Sequence, residues 1–185
     1  MRKYLLIFSL FLFSTNGFSQ VASDRFDEDG SRVIISKDKA VSFTMKLGVT
    51  FRIMDVVSVN DADSYFLLFT YIGNKKRERE YSKGRKLLIK LKDDSIIELT
   101  CYKTLGDDDY VGCGAHVTYS VSEADIQRMI DNDVIKLRIE NDIDYKDVEL
   151  KGNLFTKSMK KLYEAVKEER KIEKKSGDGG LYEGF

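Results

Sequence analysis

The stretch VSFTMKLGVTFRI, residues 41–53, carries the strongest strand signal in this chain of 185 residues. Its apolar residues alternate with polar residues or glycine. All of them fall on one face of an extended chain: Val41, Phe43, Met45, Leu47, Val49, Phe51 and Ile53. Such alternation is typical of a strand that buries one face and exposes the other. The stretch therefore predicts one long strand of an antiparallel sheet.

More strands follow toward the C-terminus. Residues 65–72, YFLLFTYI, are apolar on both faces and predict a central strand that is covered on both sides. Residues 86–103 read as a hairpin that turns at Asp93 and Asp94. Residues 110–121 and 135–139 predict two more strands, and residues 144–150 a weaker one.

Two helices interrupt the strands. Ser122 and Asp125 resemble a capping box at the start of a short helix that ends near Asn132. A second helix is predicted from about residue 155 to 175, where four apolar residues form one stripe: Phe155, Met159, Leu162 and Val166. We expect this stripe to dock on the sheet.

These elements predict an α+β fold that is mainly β. We expect an antiparallel sheet or β-sandwich of about eight strands, with one short helix and a C-terminal helix packed on it. A parallel α/β fold is not expected, because the strands between residues 33 and 121 follow one another without the crossover helices that parallel pairs need.

The N-terminus has the pattern of a secretory signal peptide. Arg2 and Lys3 precede a short apolar run, and the small residues Gly17 and Ser19 precede a cleavage point before Gln20. The run is too short to span a bilayer. We therefore expect a signal peptide at 1–19, a single β-rich domain at 20–175, a flexible tail at 176–185, and a periplasmic or secreted protein with no transmembrane segment after cleavage.

Charge is balanced overall but uneven along the chain. The formal net charge is zero, which gives no support for a nucleic-acid partner. Residues 74–92 carry a charge of +7, residues 93–149 carry −10 and residues 150–175 carry +5. Either these blocks neutralise one another on the folded surface, or the basic run binds an anionic glycan or lipid. The candidate anion-binding residues are Lys75, Lys76, Arg77, Arg79, Lys83, Arg85 and Lys86.

The two cysteines, Cys101 and Cys113, are candidates for a disulfide. In a hairpin centred on Asp107 they lie directly opposite each other, and both share a face with apolar neighbours. An oxidising compartment favours the bond. Two buried, reduced thiols are the alternative, because opposed strand positions do not always satisfy disulfide geometry.

No known catalytic or metal-binding motif occurs. His116 is the only histidine, and its parity places it on the opposite face from both cysteines, so no metal site is expected. The cysteines lack the close spacing of a dithiol catalyst, and no cofactor is implied. Serine-nucleophile and phosphate-loop motifs are absent from the sequence. A pair of carboxylates distant in sequence remains open as a hydrolytic site.

Three segments resemble small exported β-rich proteins of unknown function from Gram-negative bacterial envelopes. They are the leader ending in NGFSQ, the hairpin KLLIKLKDDSIIEL and the block HVTYSVSEADIQRMIDNDVIKLRIEN. The resemblance implies a periplasmic or secreted β-rich domain and supplies no catalytic residues. We expect non-catalytic binding of an envelope protein or glycan, and a carboxylate-dependent hydrolase of envelope polymers is the alternative.

Overall fold

The computed structural model describes residues 20–43, 47–58, 63–73, 86–104, 114–140 and 145–172. Within these ranges lie ten strands of one antiparallel sheet and two helices, so the predicted mainly β, α+β fold with a C-terminal helix is confirmed. The strands form a single sheet, which decides between the sheet and the sandwich that the sequence left open.

The ten strands and two helices follow one another along the chain. The strands are β1 (Val21–Phe26), β2 (Arg32–Ser36), β3 (Lys39–Phe43), β4 (Leu47–Val57), β5 (Asp63–Gly73), β6 (Lys86–Leu91), β7 (Ile96–Thr104), β8 (Gly114–Val121), β9 (Val134–Glu140) and β10 (Tyr145–Glu149). The helices are α1 (Glu123–Asp131) and α2 (Leu154–Lys171). The order across the sheet is β1-β2-β4-β5-β8-β7-β6-β9-β10, and β3 pairs with β4.

One face of the sheet, the inner face, carries the hydrophobic core. Alternate residues of its strands are buried there, including Phe51, Leu67, Ile89, Val117 and Leu137. Helix α2 lies against this face: the ring of Phe155 is 4.6 Å from that of Phe51 on β4, and the Val134 amide on β9 donates to Thr156 Oγ1 at 3.1 Å. Because β4 and β9 lie far apart in the sheet, the sheet curves around α2.

The predicted long strand at residues 41–53 is two strands. β3 and β4 form an antiparallel pair in which Phe43 lies opposite Gly48 and Lys39 opposite Phe51. The expected face is nevertheless correct where it is described, since Val49, Phe51 and Ile53 are all buried. The sequence does not reveal the turn, because the residues between the two strands include no glycine, proline, asparagine or aspartate.

The central strand β5 is covered on its inner face and in part on its outer face. Tyr65, Leu67, Phe69 and Tyr71 are buried on the inner face. On the opposite, outer face, Leu68 is only half-buried, and neither described helix packs there. Phe66 on the same outer face is buried, so among the described residues the predicted cover on this second face is partial.

The other predicted elements are confirmed, with shifted bounds. β6 and β7 form the hairpin, and Asp94 in its turn has a positive φ of 64°. The Ser122 side chain caps α1 by accepting a hydrogen bond from the Asp125 amide. The predicted stripe of α2 is buried, but the helix ends at Lys171. No described helix is long and apolar enough to cross a membrane.

Candidate functional site

The predicted anion-binding run lies mostly outside the described residues. Of its seven members only Lys86, at the start of β6, is described. Its ammonium is 2.7 Å from Glu98 Oε1 on β7, and this hydrogen bond raises the pKa of Lys86. The charge of Lys86 is thus neutralised by an acidic residue, as the first of the two alternatives expects. Anion binding by the rest of the run stays a prediction.

The predicted disulfide also lies partly outside the described residues, because Cys113 is not among them. Cys101 is on β7 and packs against the hydrophobic core, as its predicted face requires. It lies opposite Tyr119 of β8, however, whereas a hairpin centred on Asp107 would place Cys113 opposite Cys101. The disulfide therefore stays a sequence prediction without support from this register.

His116 lies on the outer face, as its parity predicts. It is opposite Thr70 of β5, and its Nδ1 is 2.8 Å from Thr70 Oγ1. Burial lowers the pKa of His116, as does the nearby charge of Arg52, while Asp38 acts in the opposite direction. The imidazole is therefore mostly neutral at pH 7, and the ring can both donate and accept a hydrogen bond.

Arg52 stands on β4, on the same outer face. Its Nε is 3.5 Å from Asp38 Oδ1, an ion pair too long for a hydrogen bond. Among the described residues the Arg52 Nε, which is buried, has no hydrogen-bond partner. Arg52 is thus ion-paired with Asp38 and keeps one buried donor, its Nε, without a hydrogen bond among the described residues.

Two aromatic rings meet beside these residues. Tyr102 of β7 is 68% exposed, and its ring centroid is 5.0 Å from that of Phe66 on β5. β8 runs between β5 and β7, and its residue opposite Phe66 is Ser120. Because the serine side chain is small, the two rings can approach each other across β8.

The register of β4, β5 and β8 places these side chains in adjacent rows. Ser120 lies opposite Phe66, Thr118 opposite Leu68, and His116 opposite Thr70, while Arg52 lies opposite Leu68 from the other side. We call this surface the outer patch. Its members are Arg52, Phe66, Leu68, Thr70, Tyr102, His116, Thr118 and Ser120.

A depression on another part of the outer face has a volume of about 220 Å³ and lies over β6, β7 and β9. Leu88 and Ile96 form its apolar floor, and three cations line it: Lys90, Lys136 and Arg138. Each cation is already paired, Lys90 with Asp94 at 2.7 Å and Lys136 and Arg138 with Asp147 at 3.1 and 2.7 Å. The positive charge in this depression is therefore largely balanced by carboxylates. It attracts an anion less strongly than two unpaired lysines and an unpaired arginine would.

A buried polar cluster joins the C-terminal half of α2 to the sheet. Asp55 of β4 is fully buried, 3.9 Å from Arg170 Nη1 of α2. Tyr65, opposite Asp55 on β5, has a pKa raised to about 12, first by burial and then by the charge of Asp55. Its ring meets Tyr163 of α2 edge-on at 5.8 Å. These contacts fix the C-terminal half of the helix against the sheet.

Glu123 of α1 extends this cluster toward solvent. It accepts hydrogen bonds from the hydroxyl of Tyr163 and, at 3.0 Å, from Lys167 Nζ. The bond from Tyr163 is the main cause of the lowered pKa of Glu123. Asp29, Asp93 and Asp147 also have lowered pKa values. These four carboxylates stay ionised at neutral pH, so none of them is suited to be the proton-donating member of a hydrolytic pair.

The acidic residues around α1 form no metal site in the part of the chain that the structure describes. Asp93, Asp131 and Asp133 line an open depression of about 380 Å³ together with Lys92. Lys92 Nζ lies 3.7 Å from Asp133 Oδ2, so one of these carboxylates is already paired with a cation. No group of three or more potential ligands is found within the described ranges.

Sequence reasoning missed Arg52, Asp55 and Tyr102. The alternation that buries Val49, Phe51 and Ile53 continues to Asp55, so a buried carboxylate was visible in the pattern. Arg52 and Tyr102 were assignable to the outer face by parity. Their proximity was not visible, because it depends on the register of strands that are distant in sequence.

Comparison of the chain with protein-family models, with curated proteins and with solved structures finds no match in any of the three.

Proposed function

We propose that this protein is an exported, non-catalytic domain of the bacterial envelope that binds a protein or glycan partner. The observation that supports it best is the position of α2. The helix packs its buried stripe against the inner face of the curved sheet, the concave side on which ligand pockets commonly form. Binding then takes place on the outer face, which carries the exposed Tyr102 and a depression lined by charged side chains.

Export is part of the proposal and rests on the leader sequence. Its test is the mature N-terminus: mass spectrometry of protein recovered from the periplasm or medium should find a chain that begins at Gln20. A cytoplasmic protein that retains residues 1–19 would contradict export.

Binding without catalysis is tested on purified envelope polysaccharides and envelope proteins. We expect saturable binding, measured by calorimetry, and no release of new reducing ends from the polysaccharides over prolonged incubation. Release of reducing ends would contradict the proposal and favour the carboxylate-dependent hydrolase. Absence of binding to both kinds of envelope material would also overturn it.

A further inference from the structure

Gln20 is the residue that directly follows the expected cleavage point, and the sheet fixes its position. Its backbone carbonyl accepts a hydrogen bond from the Lys37 amide at 2.6 Å. Val21, the next residue, lies opposite Ser36 of β2. Gln20 therefore extends the ladder between β1 and β2, and removal of the leader would place the α-amino group of the chain at the end of this ladder.

An N-terminal glutamine can close a lactam ring on itself. Its α-amino group is partly unprotonated at neutral pH and is then a nucleophile. The α-nitrogen attacks the side-chain carbonyl carbon, and the bond from that carbon to the amide nitrogen breaks. The amide nitrogen leaves as ammonia and takes a proton from the α-amine. This reaction needs no oxidant, reductant or co-reactant, and its product, pyroglutamate, carries no charge.

The surroundings of Gln20 favour this neutral product over a charged terminus. The residue is half-buried, and its side-chain Oε1 is buried. A charged α-ammonium at a half-buried position loses part of its hydration, which is costly. The lactam has no such charge. It also keeps the side-chain carbonyl oxygen and the backbone carbonyl that binds Lys37, so cyclisation is compatible with the ordered position of the residue.

The strand that begins after Gln20 holds the C-terminal end of α2. Asp24 on β1 is only 5% exposed and lies 2.8 Å from Arg32, which in turn donates to carbonyls at the end of α2. β1 is the outermost strand on its side of the sheet, and chain ends at such positions are preferred sites of proteolysis. Loss of residues 20–24 would leave Arg32 without its carboxylate. Protection of the terminus therefore protects the attachment of α2.

We propose that the exported protein carries pyroglutamate at Gln20, and that this cap protects β1 from aminopeptidases. An aminopeptidase acts on a free α-amino group, and pyroglutamate has none. This inference rests on the export part of the proposed function, because the reaction requires removal of the leader directly before Gln20.

The test is the mass of the N-terminal tryptic peptide, residues 20–25, of protein recovered from the periplasm or medium. We expect this peptide to be lighter than the unmodified peptide by one ammonia. An isotope-labelled synthetic peptide of the same sequence, with an open glutamine, is added before digestion and reports any cyclisation during the work-up. The cyclised fraction should be far larger in the protein than in this standard.

Gln20→Asn is the matched variant, because it keeps an amide but would have to close a smaller, strained ring. Its N-terminal peptide should have the full mass. A broad-specificity aminopeptidase should shorten this variant past Asp24 and lower its melting temperature by several degrees, whereas the parent stays whole. Treatment of the parent with pyroglutamyl peptidase, which removes the cap, should make the parent as sensitive as the variant.

The possible results separate the inference from the proposed function. An exported chain that begins at Gln20 with its full mass, or that begins elsewhere, overturns the inference and leaves export standing. Equal cyclisation of the protein and the synthetic standard overturns it as well. A cytoplasmic chain that retains residues 1–19 overturns export itself. A cyclised parent beside a Gln20→Asn variant that resists aminopeptidase would support the modification and refute its protective role.

Discussion

At the scale of single residues, Arg32 connects three elements with one guanidinium. Its Nε and Nη2 donate to the carboxylate of Asp24 on β1 at 2.9 and 2.8 Å. Nη1 and Nη2 also donate to the carbonyls of Glu169, Arg170 and Ile172 at the end of α2. The last carbonyls of a helix lack partners within the helix, so Arg32 satisfies them and complements the negative end of the helix dipole.

Replacing Arg32 should therefore destabilise the domain. Arg32→Met keeps much of the side-chain volume but leaves Asp24, whose side chain is only 5% exposed, without its cation. We expect a loss of about 3 to 5 kcal/mol in the free energy of unfolding, measured by urea denaturation. Arg25→Met is the control, because Arg25 and Asp27 form an exposed pair at 3.5 Å. Equal stability of both variants would contradict a structural role for Arg32.

Asp147 makes stability depend on pH. Hydrogen bonds from Arg138, and less strongly from Lys136, lower its pKa from 3.8 to about 2. The folded state therefore binds fewer protons than the unfolded state in this range, so this stabilisation is present above pH 3.8 and is lost as the pH falls toward about 2. Asp147 is partly exposed, so solvent reduces the effect.

Asp147→Asn should have a flatter dependence of unfolding free energy on pH over this acidic range than the parent protein. Urea denaturation at a series of pH values measures it. A variant with the same slope as the parent would show that the Arg138–Asp147 contact does not couple protonation to folding.

At the scale of elements, α2 is the piece that completes the core. Its buried residues Phe155, Met159, Leu162 and Val166 contribute the apolar contacts, and Tyr163 and Arg170 add polar ones. Three of the four apolar residues have no exposed area at all, and Phe155 is only 3% exposed. The helix is thus part of the core, and its apolar stripe is not a free surface for a partner.

Leu162→Ala should lower the free energy of unfolding by about 2 to 5 kcal/mol, because it leaves a cavity at a fully buried position. Chemical denaturation measures the change. Glu164→Ala is the control on the exposed face of the same helix, and we expect it to stay within about 0.5 kcal/mol of the parent. An unchanged Leu162→Ala variant would mean that α2 leaves the sheet in solution.

The elements also show what a single sequence can predict. The β6–β7 hairpin, α1 and α2 were predicted correctly, because turn residues, a cap and one apolar stripe mark them locally. The β3–β4 hairpin was not, because alternation continues through it without a turn residue. β1 was missed as well, because apolar and polar residues hardly alternate in its sequence VASDRF. Hydrogen bonding to β2 stabilises it as a strand.

At the scale of the whole molecule, charge is distributed among ion pairs that cross between strands. Lys86 with Glu98 and Lys136 with Glu149 are examples, each at 2.7 Å. In both pairs, a basic residue of one strand meets an acidic residue of its neighbour. The basic run before β6 is therefore one place where excess positive charge is still expected from the sequence.

A variant with glutamine at Lys75, Lys76, Arg77, Arg79, Lys83 and Arg85 tests that run. If it recognises anionic material, the parent should bind vesicles that contain anionic lipid, and binding should fall as salt rises. The variant should lose this binding and keep its melting temperature. A lower melting temperature without any loss of binding would favour pairing of the run with the acidic segment instead.

The position of α2 also sets the order in which the domain can become complete. A ribosome makes the chain from its N-terminus, so all ten described strands emerge before the helix that covers them. Until α2 arrives, Phe51 on the inner face lacks the packing that Phe155 gives it. A chain that stops short of α2 then presents an apolar surface to chaperones and proteases. The inner face therefore cannot be fully buried until the last described helix has been made.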